Sequence, residues 1–155
     1  MTDKEFLRLA IEIARENIKT GGGPFGAVIV RNGEIVARSG NSVTVDNDPT
    51  AHAEVNCIRK ACKVLGTFDL SDCVIYSSCE PCPMCLSAIY WARLSKLFYA
   101  ATRQDAAAAG FDDDFIYREI PLPDQARSLH CEHLNMECSQ KPFDCWQEKE
   151  DRVEY

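Results

Sequence analysis

A chain of 155 residues can bury roughly 70% of its unfolded surface in one domain and is too short for a two-domain enzyme. Hydrophobic residues make up 46% and charged residues 26%, and no apolar run nears the roughly 20 residues of a bilayer span, which excludes membrane insertion. The net charge of −7 opposes attraction to a phosphate backbone, so no nucleic-acid partner is expected; the acidic start Met1-Thr2-Asp3-Lys4-Glu5 lacks a secretory pattern, and nine cysteines in a reducing cytoplasm read as metal ligands, nucleophiles or buried apolar groups rather than disulfides.

Thr2 and Glu5 form a capping box, after which Phe6, Ala10, Ile13, Ala14 and Ile18 recur at helical spacing until Gly21-Gly22-Gly23-Pro24. Phe25 to Arg31 and Glu34 to Ser39 read as strands joined by Asn32-Gly33, a dipeptide suited to a tight type I′ hairpin, so they should pair antiparallel. Asp48-Pro49 predicts the start of a second helix that carries Val55, Ile58, Cys62 and Leu65 on one face as far as Gly66, with His52 in its first turn. A strand at Cys73 to Tyr76, a helix through Cys85, Ala88, Ile89 and Ala92, and a strand at Lys96 to Ala100 follow, an alternation that implies parallel pairing. Asp105 to Ala109 should end a helix at Gly110, and Pro121 and Pro123 bracket a surface loop. A strand around Leu129 to Leu134 and a final helix with a charged end segment, from Pro142 to Tyr155, complete the chain. With no repeat or linker, residues 1–155 read as a single α/β domain with helices on both faces of a mixed sheet.

The chemistry lies in two short motifs. His52-Ala53-Glu54 opens the second helix and Pro81-Cys82-Pro83-Met84-Cys85 opens the third. Cys82 and Cys85 share one helical face, where the positive end of the helix dipole favours thiolates, and His52 supplies a third soft ligand. Two thiolates, one imidazole and an open fourth position make a catalytic Zn²⁺ site that acidifies a bound water, and Glu54 stands where it could exchange protons with that water.

H-x-E followed by P-C-x-x-C on a separate helix is the signature of zinc nucleobase deaminases. The chain resembles the cytidine deaminase superfamily and, within it, the bacterial guanine deaminases. The narrower likeness rests on the runs Gly22–Val30, Asp48–Glu54, Ser78–Cys85, Ala88–Arg93 and Ala109–Asp113, and on the terminal Glu154-Tyr155. The resemblance implies a three-layer αβα sandwich around a five-stranded mixed sheet. It implies one zinc held by His52, Cys82 and Cys85, with Glu54 as catalytic proton shuttle, and hydrolysis of guanine to xanthine and ammonia. It also implies that Asn41 and the backbone of Ala53 hold the purine, that Phe25 and Trp91 stack on or wall it, and that Asp113 with Tyr155 closes the pocket. A homodimer is implied too, with the C-terminal segment 142–155 as a lid that acts in cis or is exchanged between subunits.

Other readings of the same residues are weaker. Cys79, Cys82 and Cys85 begin an iron–sulfur run, but Ile89 stands where its fourth cysteine belongs. A closed zinc site including Cys79, as in a non-catalytic interaction module, would leave Glu54 without a purpose. A tRNA adenosine deaminase shares the signature, yet the tail sets Asp144, Glu148, Glu150, Asp151 and Glu154 against Lys149 and Arg152, the wrong sign for RNA. Guanosine, ammeline and related aminated rings stay open as substrates. Cys57, Cys62 and Cys73 fall at core positions, no second metal site is expected at His130 and His133, and Cys131, Cys138 and Cys145 are unassigned.

Overall fold

The computed structural model describes residues 1–155. Helix α1 (Asp3–Lys19) begins at the Thr2–Glu5 capping box and buries Phe6, Ala10 and Ala14. Strands β1 (Gly26–Arg31) and β2 (Glu34–Gly40) pair antiparallel through Asn32 and Gly33, both at positive φ as a type I′ turn demands. Two helices follow, a short α2 (Val43–Asp46) and α3 (Ala53–Leu65). Then come β3 (Cys73–Cys79), α4 (Pro83–Trp91), β4 (Lys96–Ala101), α5 (Arg103–Ala108), α6 (Asp113–Glu119), a 3₁₀ turn at Asp124–Ala126 and α7 (Lys141–Glu148). No helix is long and apolar enough to cross a membrane.

The sheet has four strands in the order β2-β1-β3-β4, with β1–β3 antiparallel and β3–β4 parallel. Strand alternation divides the core in two. Ala27, Ile29 and Ile75 face Ala53, Cys57 and Ala61 of α3 and Ile89 of α4, while Val28, Val30 and Tyr76 face Phe6 and Ala10 of α1. Helices thus cover both faces, as expected. Cys57 and Cys73 are core residues and Cys62 packs against them.

The expected fifth strand is absent. Residues 129–134 carry no strand and leave Leu129 and Leu134 largely exposed, because nothing pairs with them, and β4 is the sheet's edge. The second helix also starts four residues later than Asp48-Pro49 predicts, at Ala53 rather than Pro49. Asp48 Oδ1 instead accepts from the backbone N–H and hydroxyl of Thr50, closing a local Asx turn, so His52 is the N-cap of α3 rather than a residue of its first turn.

The chain divides into two compact units, Met1–Tyr117 and Arg118–Tyr155. The first holds the sheet and its flanking helices. The second is knit by Glu119, whose carboxylate accepts from the backbone and hydroxyl of Ser128, and by Arg127, which donates to the carbonyls of Glu119 and Ile120. It buries no side chain fully.

Candidate metal centre and active site

The sheet registers Gly26 opposite Gly40 and Ala27 opposite Ser77, so the start of β1 and the ends of β2 and β3 meet at one edge. What emerges there builds the site. The end of β2 delivers Asn41, and the end of β3 leads through Glu80 and Pro81 into α4. The N-termini of α3 and α4 sit at the same edge because both helices pack on the face that carries Ala27, Ile29 and Ile75.

His52 caps α3, Cys82 caps α4, and Pro83 begins α4 at a position that needs no N–H partner. The Nδ1 of His52 lies 3.5 Å from both the Cys82 and the Cys85 sulfurs, and the three ligand atoms all fall within 4.8 Å of one another. Tetrahedral zinc, with bonds of about 2.3 Å to sulfur and 2.0–2.1 Å to nitrogen, sets its S···N separations near 3.5 Å. Both S···N distances of this group therefore match one zinc ion. The interaction with Cys85 pulls the Cys82 thiol far below its usual range and pushes Cys85 up. The Cys82 sulfur in turn holds the His52 imidazole above its ordinary value, against burial that lowers it.

Glu54, only 6% exposed, sits beside this group. Its Oε1 accepts from the Ser77 hydroxyl at 3.0 Å, which ties the first turn of α3 to β3. Burial pushes its carboxyl up, although its bonds with Ser77 and Cys85 favour the charged form. A carboxyl so placed can hold and release a proton close to the metal position.

A cavity of about 380 Å³ opens over the centre. Its wall includes Gly21 to Gly23, Phe25, Asn41, Thr44, Glu80, Phe111 and Asp113, with His52, Glu54 and Cys82 at its base. Phe25 and Phe111 meet edge to face at 4.9 Å, and Asn41 is 8% exposed. Burial raises the Asp113 carboxyl above its usual value, and the neighbouring Cys82 thiolate adds to the rise. Asp113 opens α6, whose start is capped by Asp112 accepting from the backbone N–H of Phe115 at 3.1 Å.

Of the residues expected at the site, His52, Glu54, Cys82, Phe25, Asn41 and Asp113 line this cavity, and Cys85 joins His52 and Cys82 in the metal-binding group. Ala53 is fully buried as the first residue of α3, where a helix leaves backbone N–H groups without helical partners. Trp91 ends α4, is 63% exposed and is not part of this cavity's wall; Tyr155 belongs to the second unit and is 74% exposed. Glu80 and Phe111 were not singled out by sequence. Glu80 directly precedes P-C-x-x-C and Phe111 lies two residues before Asp113, so adjacency to the motifs was their available signal. Glu80 accepts from the backbone N–H of Arg103 at 3.0 Å and pairs with its guanidinium at 3.6 Å. Arg103 lies over the Tyr117 ring, and the Tyr117 hydroxyl donates to the Pro81 carbonyl at 2.7 Å, so the turn that presents Cys82 is clamped from behind.

A sheet edge that gathers two helix N-termini, a His-Cys-Cys centre and a buried carboxyl defines a zinc-dependent deaminase site, and residues 1–101 match the family model of the cytidine and deoxycytidylate deaminase zinc-binding region. The chain belongs to that family. It is 53% identical to the guanine deaminase of Bacillus subtilis over 156 residues, covering 100% of both chains, and superposes on the X-ray structure of guanine deaminase from that organism with a TM-score of 0.98, covering 100% of this chain and 99% of that one. A solved guanine deaminase from Nitrosomonas europaea is 34% identical with a TM-score of 0.67, over 70% of this chain and 63% of its own. The tRNA-specific adenosine deaminase of Aquifex aeolicus is 41% identical over 101 residues, 65% of this chain and 67% of that protein.

Proposed function

We propose that the protein is a zinc-dependent guanine deaminase that hydrolyses guanine to xanthine and ammonia in the cytoplasm. The observation that carries this reading is the full-length match to a guanine deaminase, whereas the likeness to the tRNA adenosine deaminase of Aquifex aeolicus spans about two thirds of the chain. A cavity of about 380 Å³ lies toward the small end of ligand pockets, about 300–1,000 Å³, and suits a free base. The net charge of −7 also disfavours an RNA substrate.

In this reading His52, Cys82 and Cys85 hold one zinc ion, which when bound lowers the pKa of a coordinated water toward 7. Glu54 would take a proton from the attacking water as its oxygen bonds to C2 of guanine and deliver it to the adjacent ring nitrogen; it would then move the proton of the new hydroxyl to the amine as the C2–N bond breaks, so that water and guanine balance to xanthine and ammonia. Burial keeps the Glu54 carboxyl basic enough to accept that proton and Ser77 keeps it aimed. Asn41 and the Ala53 N–H orient the base, Phe25 faces its ring, and the acceptor-only carboxylate of Asp113 takes hydrogen bonds from guanine N–H groups. Trp91 and Tyr155 are proposed to wall and close the pocket. The segment 142–155 then acts as a lid within a homodimer, a reading supported by the exposed apolar side chains of Phe143, Val153 and Tyr155.

The test is ammonia release from guanine, guanosine, adenine, cytosine, cytidine and ammeline. Guanine should lead by at least about tenfold in kcat/KM; turnover of adenosine in a tRNA anticodon stem, with none of guanine, would replace this reading by that of an RNA editor. Deleting Val153-Glu154-Tyr155 should depress guanine turnover with zinc retained, and refolding that chain together with a Glu54→Gln chain should restore part of it if the lid crosses between subunits.

A further inference from the structure

Part of the cavity wall, at Gly21 to Gly23 and Asn41, is irregular backbone, and one side chain outside the cavity bonds to it. Asn17, near the end of α1, donates through Nδ2 to the carbonyls of Gly23 and Asn41, each at 2.7 Å. Because both partners are acceptors, the nitrogen of the amide must be the atom facing them. The Asn17 carbonyl accepts from the backbone N–H of Gly22 at 3.1 Å, so one residue grips three points of the wall. The fit is close: a Cβ at Gly22 would collide with Asn17 Nδ2 and with the Asn41 carbonyl, and a Cβ at Gly40 would collide with the Asn17 amide itself. Asn17 does not line the site cavity, whereas Gly22, Gly23 and Asn41 do.

The consequence for Asn41 follows from its own bonds. Its Oδ1 accepts from the backbone N–H of Val43 at 3.2 Å, which ties one lone pair of that oxygen to the loop and orients Nδ2 as a donor for a ligand. The height of this amide above the cavity floor is set by the Asn41 backbone, and that backbone is held on one side by its N–H bond to the Phe25 carbonyl and on the other by Asn17. We propose that Asn17 is a positioning residue for substrate recognition, fixing the Gly21–Gly23 turn and Asn41 at the distance that fits one purine ring. This rests on the guanine deaminase reading and deepens it.

Without the Asn17 amide, two carbonyls that now converge on one donor group face each other, repel and separate, which widens the cavity at the purine edge. His52, Glu54, Cys82 and Cys85 reach the site on α3 and α4, and none of them is bonded to Asn17. The effect therefore falls on binding and not on the proton transfers.

Steady-state kinetics with guanine test this, with the parent's turnover established in the same assay. Asn17→Ala should raise KM about tenfold and weaken inhibition by 8-azaguanine in parallel, with kcat within about threefold and zinc still one per chain. Tyr76→Phe, which removes the 2.6 Å hydrogen bond to Asp3 on the face covered by α1, serves as a control for loss of a hydrogen bond to α1 away from the cavity and should leave KM unmoved. Gly40→Ala drives a methyl into Asn17 without touching the cavity and should raise KM in the same sense, so it decides the matter if Asn17→Ala does not fold. A KM within about twofold of the parent in these variants, or a loss confined to kcat or zinc, overturns the proposal. A parent chain inactive on guanine overturns the functional reading first, and this inference with it.

Discussion

Glu54→Gln separates proton transfer from every other role of the site. The carboxylate is 6% exposed and its Oε1 accepts from Ser77. Glutamine has the same length and can keep an oxygen where Oε1 stands, so the Ser77 bond survives, but an amide neither takes a proton from water nor hands one to a leaving amine. General acid–base catalysis by one group contributes about 10²–10⁴ in rate, so kcat should fall by that factor, about 3–5 kcal/mol on the barrier. KM should move little, because the cavity wall is untouched. Zinc should remain at one per chain, since the ligand atoms belong to His52, Cys82 and Cys85. The melting temperature should hold or rise, because a neutral amide is cheaper to bury than a carboxylate whose charged form burial already opposes. Ammonia release, metal analysis and a thermal melt on the same preparation read all three. A kcat within about tenfold of the parent with zinc in place would refute the assignment of Glu54 as the shuttle.

Cys85→Ser should lose zinc, activity and thermal stability together, because a fully buried sulfur ligand is removed; full metal occupancy would remove Cys85 from the ligand set. Asp113→Asn should cost guanine about 1–3 kcal/mol in kcat/KM, since one face of the new side chain donates where the base also donates, and an equal fall for another substrate would show that Asp113 does not select. Gly26→Ala places a methyl 2.7 Å from the backbone nitrogen of Ala14 and closer still to the carbonyl of Ala10, so α1 must lift off β1. Overpacking of this kind costs about 1–3 kcal/mol and should lower the melting temperature by several degrees; an unchanged melt would mean that α1 yields freely.

What the sequence disclosed and what it withheld follow from the range of the forces involved. Local signals were reliable: the Thr2–Glu5 box starts α1, and Asn32-Gly33 turns the hairpin at positive φ. The His-Cys-Cys group was legible because P-C-x-x-C confines Cys82 and Cys85 to one helical turn, and only their meeting with His52 needed the sheet. Asp48 misled because an Asx turn onto Thr50 and a helix N-cap use the same side-chain oxygen, and sequence does not say which N–H it will meet. The missing fifth strand is a failure of partnership, since the apolar character of Leu129 and Leu134 has meaning only beside another strand. Asn17 was invisible for a related reason: it looks like a polar residue on the solvent side of an amphipathic helix, and its two acceptors are six and 24 residues away.

Both helices that reach the His-Cys-Cys group begin with one of its members in place of an ordinary cap. His52 makes no side-chain capping bond to α3, and at the start of α4 the Cys82 sulfur accepts a long 3.5 Å bond from the Cys85 N–H. A zinc ion there, neutralised by two thiolates, would serve as a shared end-piece for two separate helices. Its removal by a chelator would be felt first as fraying: amide hydrogens in the opening turns of α3 and α4 would exchange early, while Ile29 and Ile75 in the sheet kept their protection. The metal-free protein would then be a folded sheet with a loosened rim, and its affinity for zinc would include the free energy of winding those two turns again.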